Sequence, residues 1–258
     1  MTETAKNQKS ALDRPWLTDG FVRRIRGLHR TRLRDLYPSE AWALYRVVPY
    51  CNSVLDLGCG SGAMFEIVRA ISPKTHYTGV DINPVLVESA RSQYASDSAG
   101  FIEADALHFL KTCEARFDCI MSWAVLSGIP DFGTLVEGMI GRSSRYVLFD
   151  MRVANVEATV ADTRLAYSVY DDIKAPFVIA SFSGLLRSLR LHDKDLKSVE
   201  ITGYDMPVGS VSWISETLPQ PSVVSVVLER SPLDERSSIN PATEWYVNVP
   251  PYLLSELK

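Results

Sequence analysis

The stretch SVLDLGCGSG at residues 53–62 constrains the fold more than any other part of the chain. An apolar run that ends in alternating glycines and opens onto a helical pattern predicts a buried strand, a tight turn and a helix N-terminus. Gly58, Gly60 and Gly62 would let a ligand approach the backbone where a Cβ would collide. The unpaired N–H groups of the helix start would point at that ligand.

Strand and helix patterns alternate after this turn. Strand patterns occupy residues 75–80, 100–103, 117–122 and 145–150, and helical patterns occupy residues 63–71, 85–94, 107–111 and 132–140. This alternation predicts a parallel sheet with helices on both faces. Two later strand patterns, at 199–204 and 222–229, are joined by a non-helical loop at 205–221, which indicates an antiparallel pair.

The composition excludes several classes of protein. A length of 258 residues suits one domain with additions, and a net charge of −4 argues against general nucleic-acid affinity. The four cysteines are not spaced as metal ligands, so we expect no metal site. The polar N-terminus and the lack of a run of about 20 apolar residues predict a cytoplasmic protein without a membrane span.

Three acidic residues fall at the ends of the first three predicted strands: Asp56, Asp81 and Asp105. A carboxylate at the position of Asp81 can bind both hydroxyls of a ribose. Asp56 suits a cationic partner better than a pyrophosphate. Asp105 could accept the exocyclic amine of an adenine, with the Ala106 N–H at the ring, or could cap the following helix.

The glycine turn alone is ambiguous. Residues 58–63 also satisfy the dinucleotide pattern G-x-G-x-x-G/A, so an NAD(P)-dependent oxidoreductase is one alternative. A ligand-binding protein of the same fold without catalytic activity is another. The three successive acids favour an adenosyl ligand with a cationic part over both.

Four motifs together resemble those of the class I S-adenosylmethionine-dependent methyltransferases. They are LDLGCGSG, GVDINP, EADAL and FDCIMSWAVLSGI, and the resemblance covers roughly residues 50–150 together with the closing strand pair. It implies a Rossmann-like seven-stranded sheet, mostly parallel with an antiparallel last strand, and helices on both faces. It also implies S-adenosylmethionine as the cofactor.

The resemblance implies a role for particular residues of this chain. Gly58, Gly60 and Gly62 would lie against the methionine part of the cofactor. Asp81 would bind the ribose, with Ile82 beside it in the cofactor site. The remaining positions would read the adenine or line the methyl-donor site: Asp105, Ala106, Ser122 and Trp123.

The domain division follows from these patterns. We expect an N-terminal helical cap at 1–49, a methyltransferase domain at 50–230 with substrate-side insertions at 152–182 and 205–221, and a tail at 231–258 that packs on the body. Residues 21–36 have helical spacing and six arginines, which form either a solvated basic face or a cationic wall for an anionic acceptor.

The acceptor side has few candidate residues. Asp150 and Arg152 follow the fifth strand at the ligand edge, and we expect them to contact substrate as catalytic residues. Tyr204 and Asp205 end at the same edge, and His29 is the only histidine in a segment that could fold over the site. We expect O-methylation of a small molecule or a sugar or glycan, with no nucleic-acid acceptor.

Overall fold

The computed structural model describes residues 13–28, 30–206, 212–231 and 242–254. The strands are β1 (Ser53–Leu57), β2 (His76–Asp81), β3 (Ala99–Glu103), β4 (Phe117–Ser122), β5 (Ser143–Ala154), β6 (Ala166–Tyr170), β7 (Ile173–Pro176), β8 (Ala180–Ser181), β9 (Leu196–Asp205), β10 (Ser212–Ile214), β11 (Ser222–Arg230) and β12 (Glu244–Asn248). The α-helices are α1 (Asp19–Leu28), α2 (Pro38–Val47), α3 (Met64–Ile71), α4 (Pro84–Tyr94), α5 (Ala106–Thr112), α6 (Phe132–Arg142) and α7 (Phe182–Arg190). None of the helices in these ranges is long and apolar enough to cross a membrane.

Nine strands form one large sheet in the order β3-β2-β1-β4-β5-β11-β9-β12, with β8 paired to the end of β5. Strand β11 runs antiparallel to its neighbours β5 and β9, and the other pairs in this sheet are parallel. The predicted Rossmann-like sheet with its antiparallel late strand is confirmed. Strands β8 and β12 were not among the seven predicted strands. Their sequence signal is weak, because β8 has only two residues and β12 is an edge strand without a buried apolar run.

The large sheet is covered on both faces. Leu55 and Leu57 of β1 belong to a core that includes residues of α6 and α7, whereas Val54 belongs to a core that includes residues of α3 and α4. Successive side chains of a strand point to opposite faces, so an apolar strand of this kind must be buried on both sides. The carboxyl ends of the strands remain as the edge at which a ligand site can form.

A separate three-stranded sheet consists of β10, β6 and β7 in that order. The β6–β7 hairpin turns at Asp171 and Asp172, whose φ angles are 45° and 64°. The sequence predicted no strands in 152–182 and only a loop in 205–221, and both expectations were incomplete. A hairpin turn with two positive φ angles is usually marked by Asn-Gly or Asp-Gly, so the Asp-Asp pair gives only a weak signal.

The predicted helical segment 21–36 is interrupted. Helix α1 ends at Leu28, and Arg32 is extended with φ −127° and ψ 149°. A separate 3-10 turn, Leu33–Asp35, begins there, because the Asp35 carboxylate accepts the Arg32 N–H at 3.0 Å. We call residues 13–28 the cap.

The tip of the β6–β7 hairpin holds the cap in place. Asp171 accepts hydrogen bonds from the Gly20 N–H at 2.5 Å and from the Arg23 guanidinium at 2.7 Å. The N–H groups in the first turn of a helix have no intrahelical partner, so Asp171 satisfies a donor that α1 itself cannot. Three aromatic rings pack together at the same contact, with centroids 5.2 to 5.8 Å apart: Trp16, Phe21 and Tyr170.

Replacing Asp171 with glycine is expected to loosen the cap without unfolding the protein. Glycine keeps the positive φ angle but removes the carboxylate that binds Gly20 and Arg23. An exposed ion pair and a helix-end contact together stabilise by about 1–2 kcal/mol, so the melting temperature should change little. The amides of α1 should exchange with solvent faster, as measured by hydrogen exchange with mass spectrometry.

Asp172→Gly is the matched control, because Asp172 has the same type of φ angle at the neighbouring turn position. This control should leave α1 exchange at the wild-type rate. Equal exchange of α1 in the two variants would show that Asp171 does not hold the cap.

Candidate active site

A cavity of about 1140 Å³ lies at the carboxyl ends of the parallel strands. Its wall is formed by the glycine turn after β1, the ends of β2, β3 and β4, the cap, and the small sheet. Ligand pockets are typically roughly 300–1,000 Å³ in volume. The cavity therefore has room for two small ligands side by side.

The glycine turn is as tight as the sequence predicts. Gly58, Gly60 and Gly62 have φ angles of 78°, 55° and 80°, a region that side chains with a Cβ rarely adopt. A Cβ on Gly58 would lie 2.3 Å from the Val125 side chain. A Cβ on Gly60 would lie 3.0 Å from the side chain of Ile25, so the cap covers the turn directly.

Asp81 joins the turn to the end of β2. Its carboxylate accepts the N–H groups of Gly60 and Asn83, each at 2.8 Å. Burial raises the pKa of Asp81, and these backbone hydrogen bonds oppose that rise. Both Asp81 and Ile82 line the cavity, as the sequence predicts for a cofactor site.

Asn83 connects this part of the site to the cap. Its side-chain oxygen accepts the N–H groups of Val85 and Leu86 and so caps α4. Its amide nitrogen donates to the Trp16 carbonyl at 2.8 Å. One side chain therefore links the first turn of α4, beside Asp81, to the cap.

Asp105 and Ala106 lie on the cavity wall after β3. Asp105 also accepts the His108 N–H at 2.8 Å and caps α5. Asp105 therefore caps α5 and also lies on the cavity wall, so the two interpretations of this residue are compatible.

Asp56 is a buried carboxyl group on the cavity wall beneath the turn. Burial raises the pKa of Asp56 to about 7, the Tyr77 hydroxyl that donates to it at 2.5 Å lowers the pKa, and the nearby Asp81 adds to the rise. A carboxyl group with this pKa ionises readily when a cation comes close.

Ser122 and Trp123 differ in position. The Ser122 hydroxyl is fully buried and donates to the Leu57 carbonyl at 2.9 Å, so Ser122 ties β4 to β1 behind the wall rather than lining the site. Trp123 does line the cavity, and its indole N–H has no hydrogen-bond partner among the described residues. The two residues predicted for the methyl-donor site therefore do not lie there together.

Asp150 is also placed differently from the prediction. Both of its oxygens are occupied, one by the Ala124 N–H at 2.5 Å and the other by the Arg152 guanidinium at 2.6 Å. Asp150 is buried and does not line the cavity, whereas Arg152 does. Asp150 is therefore a positioning residue that holds Arg152 and the loop after β4, where Ala124 has a φ of 58°.

A second arginine–carboxylate pair lies close to Asp150. The buried Glu40 accepts the Tyr37 N–H at 3.0 Å and binds the guanidinium of Arg30. Burial raises the pKa of Glu40, the Arg30 charge opposes this rise, and the nearby Asp150 adds to it. Arg30 and Tyr37 line the cavity.

The remaining sequence candidates lie elsewhere. Tyr204 is not part of the cavity wall, and Asp205 is exposed and binds the Tyr252 hydroxyl at 2.7 Å. His29 is outside the described residues. Several wall residues had no recognisable sequence signal, notably Trp16 and Ile25 of the cap.

The raised pKa of Asp56 predicts a measurable pH dependence of stability. The folded protein keeps the Asp56 proton up to about pH 7, whereas an unfolded chain releases it at the ordinary aspartate pKa of 3.8. The contribution of Asp56 to the free energy of unfolding must therefore fall as pH rises from about 4 to 7, by up to about 1.4 kcal/mol per pH unit.

Asp56→Asn removes this titration while keeping an acceptor for the Tyr77 hydroxyl. Urea unfolding at several pH values should show that the free energy of unfolding declines less steeply with rising pH in the variant. The variant therefore gains stability relative to the wild type at pH 8. Parallel curves for the two proteins would contradict the assignment. The comparison cancels the contributions of Asp81 and Glu40, which are the same in both proteins.

Comparisons with known proteins can now be set beside this geometry. Residues 54–141 match the model of a family described as a methyltransferase domain. Trans-aconitate 2-methyltransferase of Methylobacterium radiotolerans is 36% identical over 113 residues, which make up 43% of this chain and 42% of that protein. Ribosomal RNA small subunit methyltransferase C of Serratia proteamaculans is 35% identical over 73 residues, or 28% of this chain and 20% of that protein.

Two solved structures share the fold. The plantazolicin methyltransferase BpumL in complex with SAH gives a TM-score of 0.54 at 15% identity, covering 88% of this chain and 97% of that chain. The O-methyltransferase from the trans-AT PKS multienzyme of Brevibacillus brevis, in complex with S-adenosyl-L-homocysteine, gives a TM-score of 0.52 at 16% identity. The match covers 78% of this chain and 77% of that chain.

This chain spans less than half the length of the curated relatives that it matches. The match itself begins at the glycine turn and ends in α6, so it contains the acids at the ends of β1, β2 and β3. The strand order with an antiparallel β11 belongs to the same fold. Residues 54–141 therefore belong to a methyltransferase domain, and the chain has the fold of the class I S-adenosylmethionine-dependent methyltransferases.

Proposed function

We propose that the protein transfers a methyl group from S-adenosylmethionine to an oxygen atom of a small-molecule acceptor. The observation that carries this proposal is one continuous cavity. Gly58, Gly60 and Asp81 line one part of it, Arg152 and Phe177 line another, and the cap covers both.

The chain's own residues fit the cofactor. Gly58 and Gly60 line the cavity with backbone that carries no side chain, and Asp81 presents a buried carboxylate where ribose hydroxyls would bind. Asp105 and Ala106 would hold the adenine, and Ile82 would lie beside the ribose. When bound, S-adenosylmethionine supplies a methyl group that is already activated by the positive sulfur.

Asp56 explains why a cationic ligand suits this turn. A positive group near Asp56 favours the ionised carboxylate, since the carboxyl group has a pKa of about 7 without it. A pyrophosphate at the same place would oppose the ionisation of Asp56 and gain no attraction from it. This argues against the nicotinamide-dependent oxidoreductase.

The remaining work of the protein is to orient the reactants and exclude water. The cap brings Trp16 and Ile25 over the cavity, and Tyr170 of the small sheet packs against Trp16. Holding the acceptor in line with the methyl group removes much of the entropic barrier of a reaction between two molecules. Asp150 keeps Arg152 oriented for this purpose.

A small acceptor agrees best with the covered cavity. Residues of the cap line the cavity, which suits an acceptor of limited size, and the net charge of −4 adds no general attraction to a polynucleotide. Among the similar proteins, trans-aconitate 2-methyltransferase acts on a small acid and the Brevibacillus brevis protein is an O-methyltransferase. These names support the proposed class of acceptor.

Thermal unfolding with S-adenosylhomocysteine tests the cofactor assignment directly. A ligand at 100 times its dissociation constant stabilises the folded state by about 2.7 kcal/mol, which raises the melting temperature by several degrees. Asp81→Asn should weaken binding at least about tenfold, because it removes charged hydrogen bonds to the ribose.

Asp97→Asn serves as the control, since Asp97 is exposed in the turn before β3 and does not line the cavity. It should bind S-adenosylhomocysteine as the wild type does. A shift with NAD and none with S-adenosylhomocysteine would refute the proposed function.

A further inference from the structure

Two arginines of the cavity wall are fixed in place by buried acids. Asp150 holds Arg152 at 2.6 Å, and Glu40 holds Arg30. Both carboxylates are only 2% exposed, whereas the side chains of Arg152 and Arg30 are 17% and 22% exposed. Each guanidinium is therefore oriented before a ligand binds and still reaches the cavity.

The two arginines lie on the same side of the molecule. Arg152 is paired in the sheet with Val223 of β11, and Val223 pairs in turn with Tyr204 of β9. The Tyr204 ring packs against Tyr37 at 5.9 Å, and the Arg30 guanidinium lies 5.3 Å from the centre of the Tyr37 ring. Both guanidinium groups thus border the part of the cavity beyond β5, away from the ends of β2 and β3.

Most of the guanidinium donors remain available for a ligand. Asp150 takes one donor of Arg152, although a guanidinium has five N–H groups. Arg30 gives one nitrogen to Glu40 and donates another to the Asp35 carbonyl at 3.3 Å. Guanidinium groups in such positions match the two oxygens of a carboxylate.

Neither Asp150 nor Glu40 is a ready general base for this side of the cavity. No histidine or lysine lines the cavity in the ranges that the structure describes. Asp150 and Glu40 already accept two hydrogen bonds each and are paired with arginines. A hydroxyl acceptor would need its proton removed during methyl transfer, whereas an ionised carboxylate would not.

We infer that the acceptor is a small acid with at least two carboxylates, and that the product is its methyl ester. One carboxylate binds Arg152 and Arg30, and a second carboxylate receives the methyl group. The anchoring carboxylate is the poorer nucleophile because its lone pairs are engaged by guanidinium donors. The inference rests on the proposed function and specifies its acceptor.

The step balances without a base. A carboxylate oxygen of the acceptor forms a bond to the methyl carbon as the carbon–sulfur bond breaks, and that electron pair stays on sulfur. The acceptor loses one negative charge, the sulfur loses its positive charge, and no proton is transferred. Arg152 and Arg30 keep the acceptor oriented throughout.

Binding can be tested without turnover. Protein saturated with S-adenosylhomocysteine is titrated with succinate, glutarate and tricarballylate, and with butyrate and glycerol 3-phosphate for comparison, by thermal shift. The polycarboxylates should give a further saturable shift that butyrate does not give. A shift with glycerol 3-phosphate alone, or none with any of the polycarboxylates, would overturn the inference.

Arg152→Lys tests the anchor while keeping the charge beside Asp150. Lysine cannot present the guanidinium fork, so polycarboxylate binding should weaken by about tenfold or more while S-adenosylhomocysteine binding stays at the wild-type level. Arg187→Lys, on an exposed position of α7 outside the cavity, should change neither affinity. Unchanged polycarboxylate binding in Arg152→Lys would remove Arg152 from the acceptor site.

The product identifies the atom that is methylated. S-adenosylmethionine labelled in its methyl group is incubated with the protein and with anion-exchange fractions of a small-molecule extract, and the labelled product is treated with mild alkali. Release of the label as volatile methanol supports a methyl ester. Label that is stable to alkali would overturn the carboxylate acceptor and leave the methyltransferase proposal intact, whereas failure to bind S-adenosylhomocysteine would overturn the latter.

Discussion

The hydrogen bond between the Gly60 N–H and the Asp81 carboxylate is the contact on which the site depends. It joins the glycine turn after β1 to the end of β2, and the Val80 carbonyl beside it accepts the N–H groups of Gly58 and Cys59 at 2.7 and 3.1 Å. The position of Gly60 needs glycine, because its φ is 55° and a Cβ would lie 3.0 Å from Ile25 of the cap. The hydrogen bond from the Gly60 N–H opposes the rise that burial causes in the pKa of Asp81.

The sites on either side of β4 follow different physical rules. On the side proposed for the cofactor, single acids at strand ends line the cavity, and backbone N–H groups or the Tyr77 hydroxyl satisfy them. On the acceptor side, Asp150 and Glu40 are buried behind arginines, so the cavity meets guanidinium groups rather than carboxylates. A positive ligand and a negative ligand can therefore occupy neighbouring parts of one cavity.

Much of the fold and of the cofactor site could be predicted from the sequence, because the information is local. Glycines at alternate positions and acids at strand ends report backbone shape and strand direction directly. The predicted roles that proved wrong are those that depend on partners far away in the sequence. Nothing near Ser122 or Asp150 in sequence indicates that the Leu57 carbonyl or the Ala124 N–H occupies their polar atoms. The cap and the small sheet were missed in part for the same reason, since Asp171 stabilises α1 across a separation of 151 residues.

The position of the cap has a practical consequence for handling the protein. Asp13, the first residue of the cap, is itself part of the cavity wall, and Trp16 follows it over the site. A bulky group attached to the side chain of either residue would therefore stand at the cavity wall. For binding assays, a label is better attached at Asp97, which is exposed and does not line the cavity.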